Sequence, residues 1–185
     1  MLKYILLGFL NYQGMTGYDL KRSIDGSTAH FWHAYHSQIY TTLRKMERDG
    51  LVTSVIDDTD ERLERRIYQI TKQGKSKLKE WLGKSLTELP PSKDSLLVRL
   101  FFSGSRDRQE VLSELRFQRQ LRQQQLELYQ QIKPEEYSPP SQLRSDTLDF
   151  DREAKFWRMT LDLGLAYEQM YLKWLDETIS QIESF

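Results

Sequence analysis

Residues 36–50 constrain this chain more than any other stretch: His36-Ser37-Gln38-Ile39-Tyr40-Thr41-Thr42-Leu43-Arg44-Lys45-Met46-Glu47-Arg48-Asp49-Gly50. At 100° per residue, Ile39, Leu43 and Met46 fall on one side of a helix. Ser37, Thr41 and Arg48 fall almost opposite, flanked by Arg44, Lys45 and Gln38. Ser37 is placed to cap the start and Gly50 to stop the end. The segment is therefore a short helix with one buried stripe. Its other face carries hydroxyls, an amide and cations, and no carboxylate at its centre. Such a face suits a phosphate-rich groove, but on an isolated helix it would more often be solvated surface. The flanking chain decides between the two.

Before it, Leu2 to Leu10 is apolar nearly all round, which predicts a first helix wrapped by others. Gly14-Met15 reads as a turn. Thr16-Gly17-Tyr18-Asp19 reads as a capping box opening a second helix, which Asp25-Gly26-Ser27 ends. Residues 27–36 form an aromatic connector containing Phe31, Trp32 and Tyr35. After Gly50, residues 51–56 and 65–70 are β-rich and separated by the turn chemistry of Asp57-Asp58-Thr59-Asp60. Thr71 caps a further helix, Lys72 to Leu82, with Leu78, Trp81 and Leu82 expected inward. Three helices, a hairpin and a helix make the winged helix-turn-helix order. In that order the third helix enters a major groove and the hairpin lies along the backbone.

Leu89-Pro90-Pro91-Ser92-Lys93 breaks helix and marks a boundary. The expected division is a DNA-binding domain over 1–88 and a helical domain over 94–185. In the second, Asp94–Phe102, Asp107–Ile132 and about Asp146–Ile182 read as helices, with a loop over Pro134–Pro140. On the last helix, Leu161, Leu165, Leu172, Leu175, Ile179 and Ile182 step by threes, fours and one seven. Trp157, Tyr167, Tyr171 and Trp174 lie at neighbouring angles. That apolar surface is wider than one antiparallel contact needs. Leu161, Leu165, Leu172, Leu175 and Ile179 are therefore expected to pack on a second copy, making a symmetric homodimer; the alternative is a self-contained three-helix bundle. The fold class expected is mainly α, with a small β-hairpin wing.

Formal net charge is zero, but its distribution is uneven. Residues 1–87 carry fourteen Lys/Arg against ten Asp/Glu, and the remainder thirteen against seventeen. Only the first half is suited to meeting a polyanion. There is no cysteine, which removes disulfides, zinc–cysteine sites and thiol catalysis and fits a reducing cytoplasm. The opening apolar run is short and has no small-residue cleavage site, and nothing approaches a membrane span. No phosphate loop, nucleophile elbow or triad is present, so no catalytic residue and no cofactor is assigned. His30, His33 and His36 step by three, but on a helix His36 turns about 240° away from His30. No metal site is assigned.

The groove-facing side chains divide by chemistry. Ser37, Gln38, Thr41 and Lys45 suit base edges, with Gln38 able to pair with adenine; Arg44 and Arg48 suit phosphates. Tyr40 stands between core and contact. On the wing, Arg62, Arg65 and Arg66 are expected to neutralise DNA backbone, while Asp57, Asp58, Asp60 and Glu61 stay away from it. Phe31, Trp32 and Tyr35 read first as core, with a planar effector stacking on them, or on Trp157 with Tyr167 and Trp174, as the other reading. Arg152 and Arg158 are near enough in sequence to meet a carboxylate. The competing reading is a winged helix that binds only protein and has no duplex affinity even at low salt.

Phe31-Trp32-x-Ala34-x-His36-Ser37-Gln38-Ile39-Tyr40 resembles the PadR family of bacterial regulators. Leu6-Leu7-Gly8-Phe9-Leu10, Gly17-Tyr18-Asp19-Leu20 and Arg66-x-Tyr68-x-Ile70-Thr71-x-x-Gly74 match the family as well. The resemblance is strong over residues 1–83, and the chain's length resembles the longer subfamily, whose carboxyl domain dimerises. It implies a homodimeric transcriptional repressor, bound to a double-stranded operator and released by a small molecule, a phenolic acid in the best-known members. One position departs: the family usually has Pro after the Tyr, where this chain has Thr41.

Overall fold

The computed structural model describes residues 1–28, 31–57, 65–89, 93–132 and 149–184. These residues form two compact units that divide between Thr87 and Glu88, with residues 149–151 grouping with the first.

In the first unit, α1 (Leu2–Tyr12) buries Leu6, Leu7 and Leu10, and Leu2, Tyr4, Ile5 and Phe9 pack partly on the same core. The expected turn at Gly14-Met15 instead leads into a strand, β1 (Met15–Thr16). The capping box then opens α2 (Gly17–Ser23): Asp19 N–H donates to Thr16 Oγ1 and Thr16 N–H to Asp19 Oδ2, each at 3.1 Å. The chain leaves α2 through a wide π turn, Ile24–Thr28, rather than stopping at Asp25. Ser27 and Thr28 hydroxyls donate there to the carbonyls of Ser23 and Ile24.

Helix α3 (His36–Arg48) buries Ile39, Leu43 and Met46, the stripe read from spacing. It begins one residue before Ser37, so Ser37 lies in its first turn and does not cap it. Gln38 takes that role, its Oε1 accepting from Tyr35 N–H at 3.1 Å. At the other end Gly50 takes φ +70°. Leu51 N–H donates to Met46 O and Gly50 N–H to Glu47 O, the paired bonds of a left-handed glycine stop.

Strands β2 (Val52–Asp57) and β3 (Arg65–Ile70) pair antiparallel from Val52↔Ile70 to Asp57↔Arg65. β1 adds to the other edge of β3, Met15 opposite Tyr68 and Thr16 opposite Ile67, so the sheet order is β1-β3-β2. Thr71 caps α4 (Lys72–Leu82): its Oγ1 accepts from Gly74 N–H and donates to Gly50 O. Leu78 is buried, and Trp81 stacks on Tyr4 with ring centroids 4.5 Å apart. Leu82, expected inward, is exposed. The α4 contact is satisfied one residue earlier by the indole.

In the second unit, Asp94 caps α5 (Ser95–Phe101) and Asp107 caps α6 (Arg108–Gln131). α7 (Phe150–Glu183) runs 34 residues, about 50 Å at 1.5 Å per residue. Arg116–Glu183, Arg119–Asp176 and Arg122–Glu168 set α6 and α7 antiparallel. Between them lie Val111, Leu112, Leu115, Tyr171, Leu175, Ile179 and Ile182, with Leu96, Leu100 and Trp174 at the margin.

This packing corrects the dimer residues. Leu161, Leu172, Leu175 and Ile179 are buried within their own chain, and Leu165 is half-buried. Leu175 and Ile179 pack with residues of α5 and α6, and Leu161 and Leu172 are likewise enclosed within the single chain. A different stripe of α7 is exposed: Phe156, Met159, Leu163, Tyr167 and Met170. These step by threes and fours along one face.

Candidate nucleic-acid interface

The outward face of α3 is built by its inward one. Because Ile39, Leu43 and Met46 are fully enclosed, the 3.6-residue repeat turns Ser37, Gln38, Thr41, Arg44, Lys45 and Arg48 to the outside, and all six are exposed. Among the described residues no carboxylate forms an ion pair with Arg44, Lys45 or Arg48. Arg44 Nε donates only to Tyr40 O within the helix. The face is a cationic, hydroxyl-bearing surface about three turns long.

Its two flanks differ. On one, Tyr40 lies over the start of α2, so close that a Cβ on Gly17 would come within 2.5 Å of Tyr40 Cε1. Tyr40 is thus a partly exposed ring whose inner edge packs on backbone, and the glycine is what admits it. Tyr18 at the same edge stacks on His36, centroids 6.3 Å apart. On the other flank an open cleft of about 460 Å³ runs beside the helix. Leu2, Trp32 and His33 line one side of it; Ser37, Gln38, Thr41 and Thr42 line the other.

The aromatic connector is less enclosed than its composition suggests. Ala34 is the buried residue; Trp32 is half-buried, and Phe31 and Tyr35 are exposed. Of Phe31, Trp32 and Tyr35, only Trp32 lines the cleft. Trp157, named with them, belongs to the second unit, where it is half-buried on α7.

The wing is tied to α3 through one acid. Glu47 accepts from Ser54 Oγ on β2, and Arg66 Nη1 on β3 stands 3.8 Å from its other oxygen. Sequence reasoning missed this: Glu47 sits among cations and reads as helix surface, yet it meets both strands. Arg65 and Arg66 are exposed, and Arg62 lies outside the described residues, as do Asp58, Asp60 and Glu61.

The second unit holds the most enclosed polar group among the described residues. Arg122 pairs with buried Glu168 at 3.0 Å and stacks over the ring of Tyr171, 4.0 Å from its centroid. Tyr171 Oη donates to Asp94 Oδ2 at 2.6 Å. Burial alone would raise the Asp94 carboxyl. The bonds from Tyr171 and from the N–H groups of Leu97 and Leu96 outweigh it and hold the group below its ordinary value. Burial, with the Asp94 bond, pushes Tyr171 up. Among the described residues no cluster could hold a metal ion and no helix is long and apolar enough to cross a membrane.

The transcriptional regulator PadR-like family matches residues 6–80, and the virulence activator alpha C-terminal family matches residues 92–183. The negative transcriptional regulator PadR of Bacillus subtilis is 28% identical over 183 residues, 99% of this chain and 98% of that protein. Its crystal structure in complex with operator DNA superposes with a TM-score of 0.78, at 28% identity and 98% of both chains. Its complex with p-coumaric acid gives 0.72 over 98% of both chains. The Vibrio cholerae virulence activator AphA gives 0.74 at 27% identity, over 100% of this chain and 99% of that one.

Proposed function

The chain belongs to the PadR-like family of transcriptional regulators, and from that premise we propose that it is a homodimeric, cytoplasmic repressor that a small aromatic molecule releases from a palindromic operator. The protein regulates transcription as a DNA-binding winged helix and carries out no assigned catalysis. The observation that carries the reading is the outer face of α3: six exposed donors and cations, with no acid paired to them among the described residues. Ser37, Gln38, Thr41 and Lys45 read base edges, Arg44 and Arg48 hold phosphates, and Tyr40 holds the rim. Arg62, Arg65 and Arg66 carry the wing's contact. Residues 1–88 form the DNA-binding domain and 94–185 the dimerising one.

The dimer reading rests on the second apolar stripe of α7. Phe156, Met159, Leu163, Tyr167 and Met170 make one exposed face, and Phe117, Leu121 and Leu128 make another on α6. Faces of this length left to water favour association, and a second copy supplies a matching surface by symmetry. The effector reading rests on the relative's complex with p-coumaric acid and on the aromatic connector beside α3.

Selecting bound duplexes from a random pool, with and without p-coumaric acid, tests the whole. The expected result is a palindrome with half-sites about one helical turn apart, depleted when the acid is present. Absence of any duplex binding at low salt would favour the protein-only module instead.

A further inference from the structure

We infer that the outer face of α4 is a second duplex-binding surface, on which Lys72, Lys75 and Lys79 hold the sugar-phosphate backbone of DNA flanking the operator. The inference rests on the reading of α3 as the operator-contacting helix and extends its footprint to the helix beside it.

The cationic surplus of the first half is not on α3 or the wing. Residues 1–71 carry nine Lys/Arg and nine Asp/Glu, whereas residues 72–84 carry five Lys and one Glu. The charge that suits the first half to a polyanion therefore lies on α4 and the two residues after it. The fold sorts these five lysines. Lys77 and Lys84 both donate to the carboxylate of Glu80, at 2.9 and 2.7 Å, so one acid occupies two cations. Lys72, Lys75 and Lys79 are exposed and have no acid partner among the described residues. At 100° per residue they fall within 60° of one another, on the side away from buried Gly74 and Leu78. Ser76 shares that side and is exposed as well.

Two further features select duplex DNA as the occupant. The first is continuity. The first turn of α4 is fastened to the end of α3: Thr71 Oγ1 donates to Gly50 O at 2.7 Å and Gln73 Nε2 to Asp49 O at 3.4 Å. The lysine stripe thus begins where the face carrying Arg44, Lys45 and Arg48 ends, with the exposed Asp49 at the join. The second is spacing. Lys72 to Lys79 covers about 10 Å at 1.5 Å per residue, the axial length of about three successive phosphates on one strand of B-DNA. Like charges three and four residues apart also disfavour a helix, and a polyanion lying along the stripe relieves that repulsion. Lysine holds phosphate as a point charge, so the contact adds affinity without adding sequence choice.

The test measures the salt dependence of binding of the full-length protein to two duplexes taken from the selection above. One is trimmed to the selected bases, and the other is extended at each end by about one helical turn. The wild type is expected to show the steeper salt slope on the extended duplex. Lys72→Gln, Lys75→Gln and Lys79→Gln together should shallow that slope by up to about 2.7, at about 0.9 for each phosphate no longer neutralised. The slope on the trimmed duplex and the preferred bases should not move. Glutamine matches lysine in helix propensity, so thermal unfolding should be nearly unchanged. The corresponding triple Arg variant should restore the wild-type slope, because it keeps the charges. A slope on the extended duplex that the Gln variant leaves unchanged overturns the inference, keeps the reading of α3 intact and returns the face to solvent or to an acidic protein. A loss of equal size on both duplexes also overturns it, since net charge acting at a distance does not depend on flanking DNA. A wild type that binds neither duplex at low salt overturns the reading of α3 and this inference together.

Discussion

At the scale of single residues, the outer face of α3 depends on a glycine that lies on another helix. Gly17 admits the Tyr40 ring, and a methyl group there would meet it at 2.5 Å. Gly17→Ala is expected to lower stability by about 1–3 kcal/mol through overpacking. Tyr40→Leu in the same chain should restore much of that loss, a non-additivity that thermal unfolding of both single variants and the double variant will measure. Thr41 is the complementary case, fully outside and with no packing role. Thr41→Ala should leave stability nearly unchanged and alter the preferred base at one operator position by about 1–3 kcal/mol, read by repeating the duplex selection. The salt dependence of binding should not move, because Thr41 neutralises no phosphate. The groove face was legible because burial of Ile39, Leu43 and Met46 determines where everything else on a 13-residue helix points. Gly17 was not legible in this role, since its neighbour is 23 positions away and meets it only in the fold.

At the scale of elements, local signals survived folding and non-local ones did not announce themselves. The Thr16–Asp19 box, the Thr71 cap and the Gly50 stop all act within six residues, and all were readable. The two-residue strand β1 was not readable, because Met15 and Thr16 become a strand only by pairing with Tyr68 and Ile67. On the wing, replacing Arg65 and Arg66 together with Ala should weaken duplex binding and shallow its salt slope by about 0.9 for each phosphate no longer neutralised. An unchanged slope would place the wing off the DNA. In the second unit, Tyr171 ties α7 to the cap of α5 through Asp94. Tyr171→Phe should cost about 1.5 kcal/mol, as for a hydrogen bond to a charged group, visible as a fall of a few degrees in Tm. The pH dependence has a definite sign. The Asp94 carboxyl is held below its ordinary value in the fold. Its contribution is therefore complete above the unfolded value of about 3.9 and is lost as pH falls through the lower folded one. Tyr171→Phe should make acid unfolding less steep in that window, measured by circular dichroism.

At the scale of the molecule, the two apolar stripes of α7 have different fates. Periodicity alone located the stripe of Leu161, Leu172, Leu175 and Ile179, but periodicity has no knowledge of which chain supplies the partner. Packing within the chain encloses all four and leaves Leu163, 72% exposed, at the centre of the other. Leu163→Glu with Met170→Glu is expected to yield a folded monomer in sedimentation, with cooperative operator binding abolished. Leu175→Glu should instead unfold the second unit, because a charge would be enclosed without a partner. Should the first variant stay dimeric, the exposed stripe is not the interface. The acid on α3 reaches further than any of these substitutions. Glu47 on α3 holds a hydroxyl from β2 and faces a guanidinium from β3, so α3 and the hairpin share a fastening. Swapping α3 alone into a relative would transplant an acid without its counterparts. On the proposed reading of α3, an exchange of residues 36–70 together should transfer operator preference, and an exchange of α3 alone, which separates Glu47 from Ser54 and Arg66, should also weaken duplex binding.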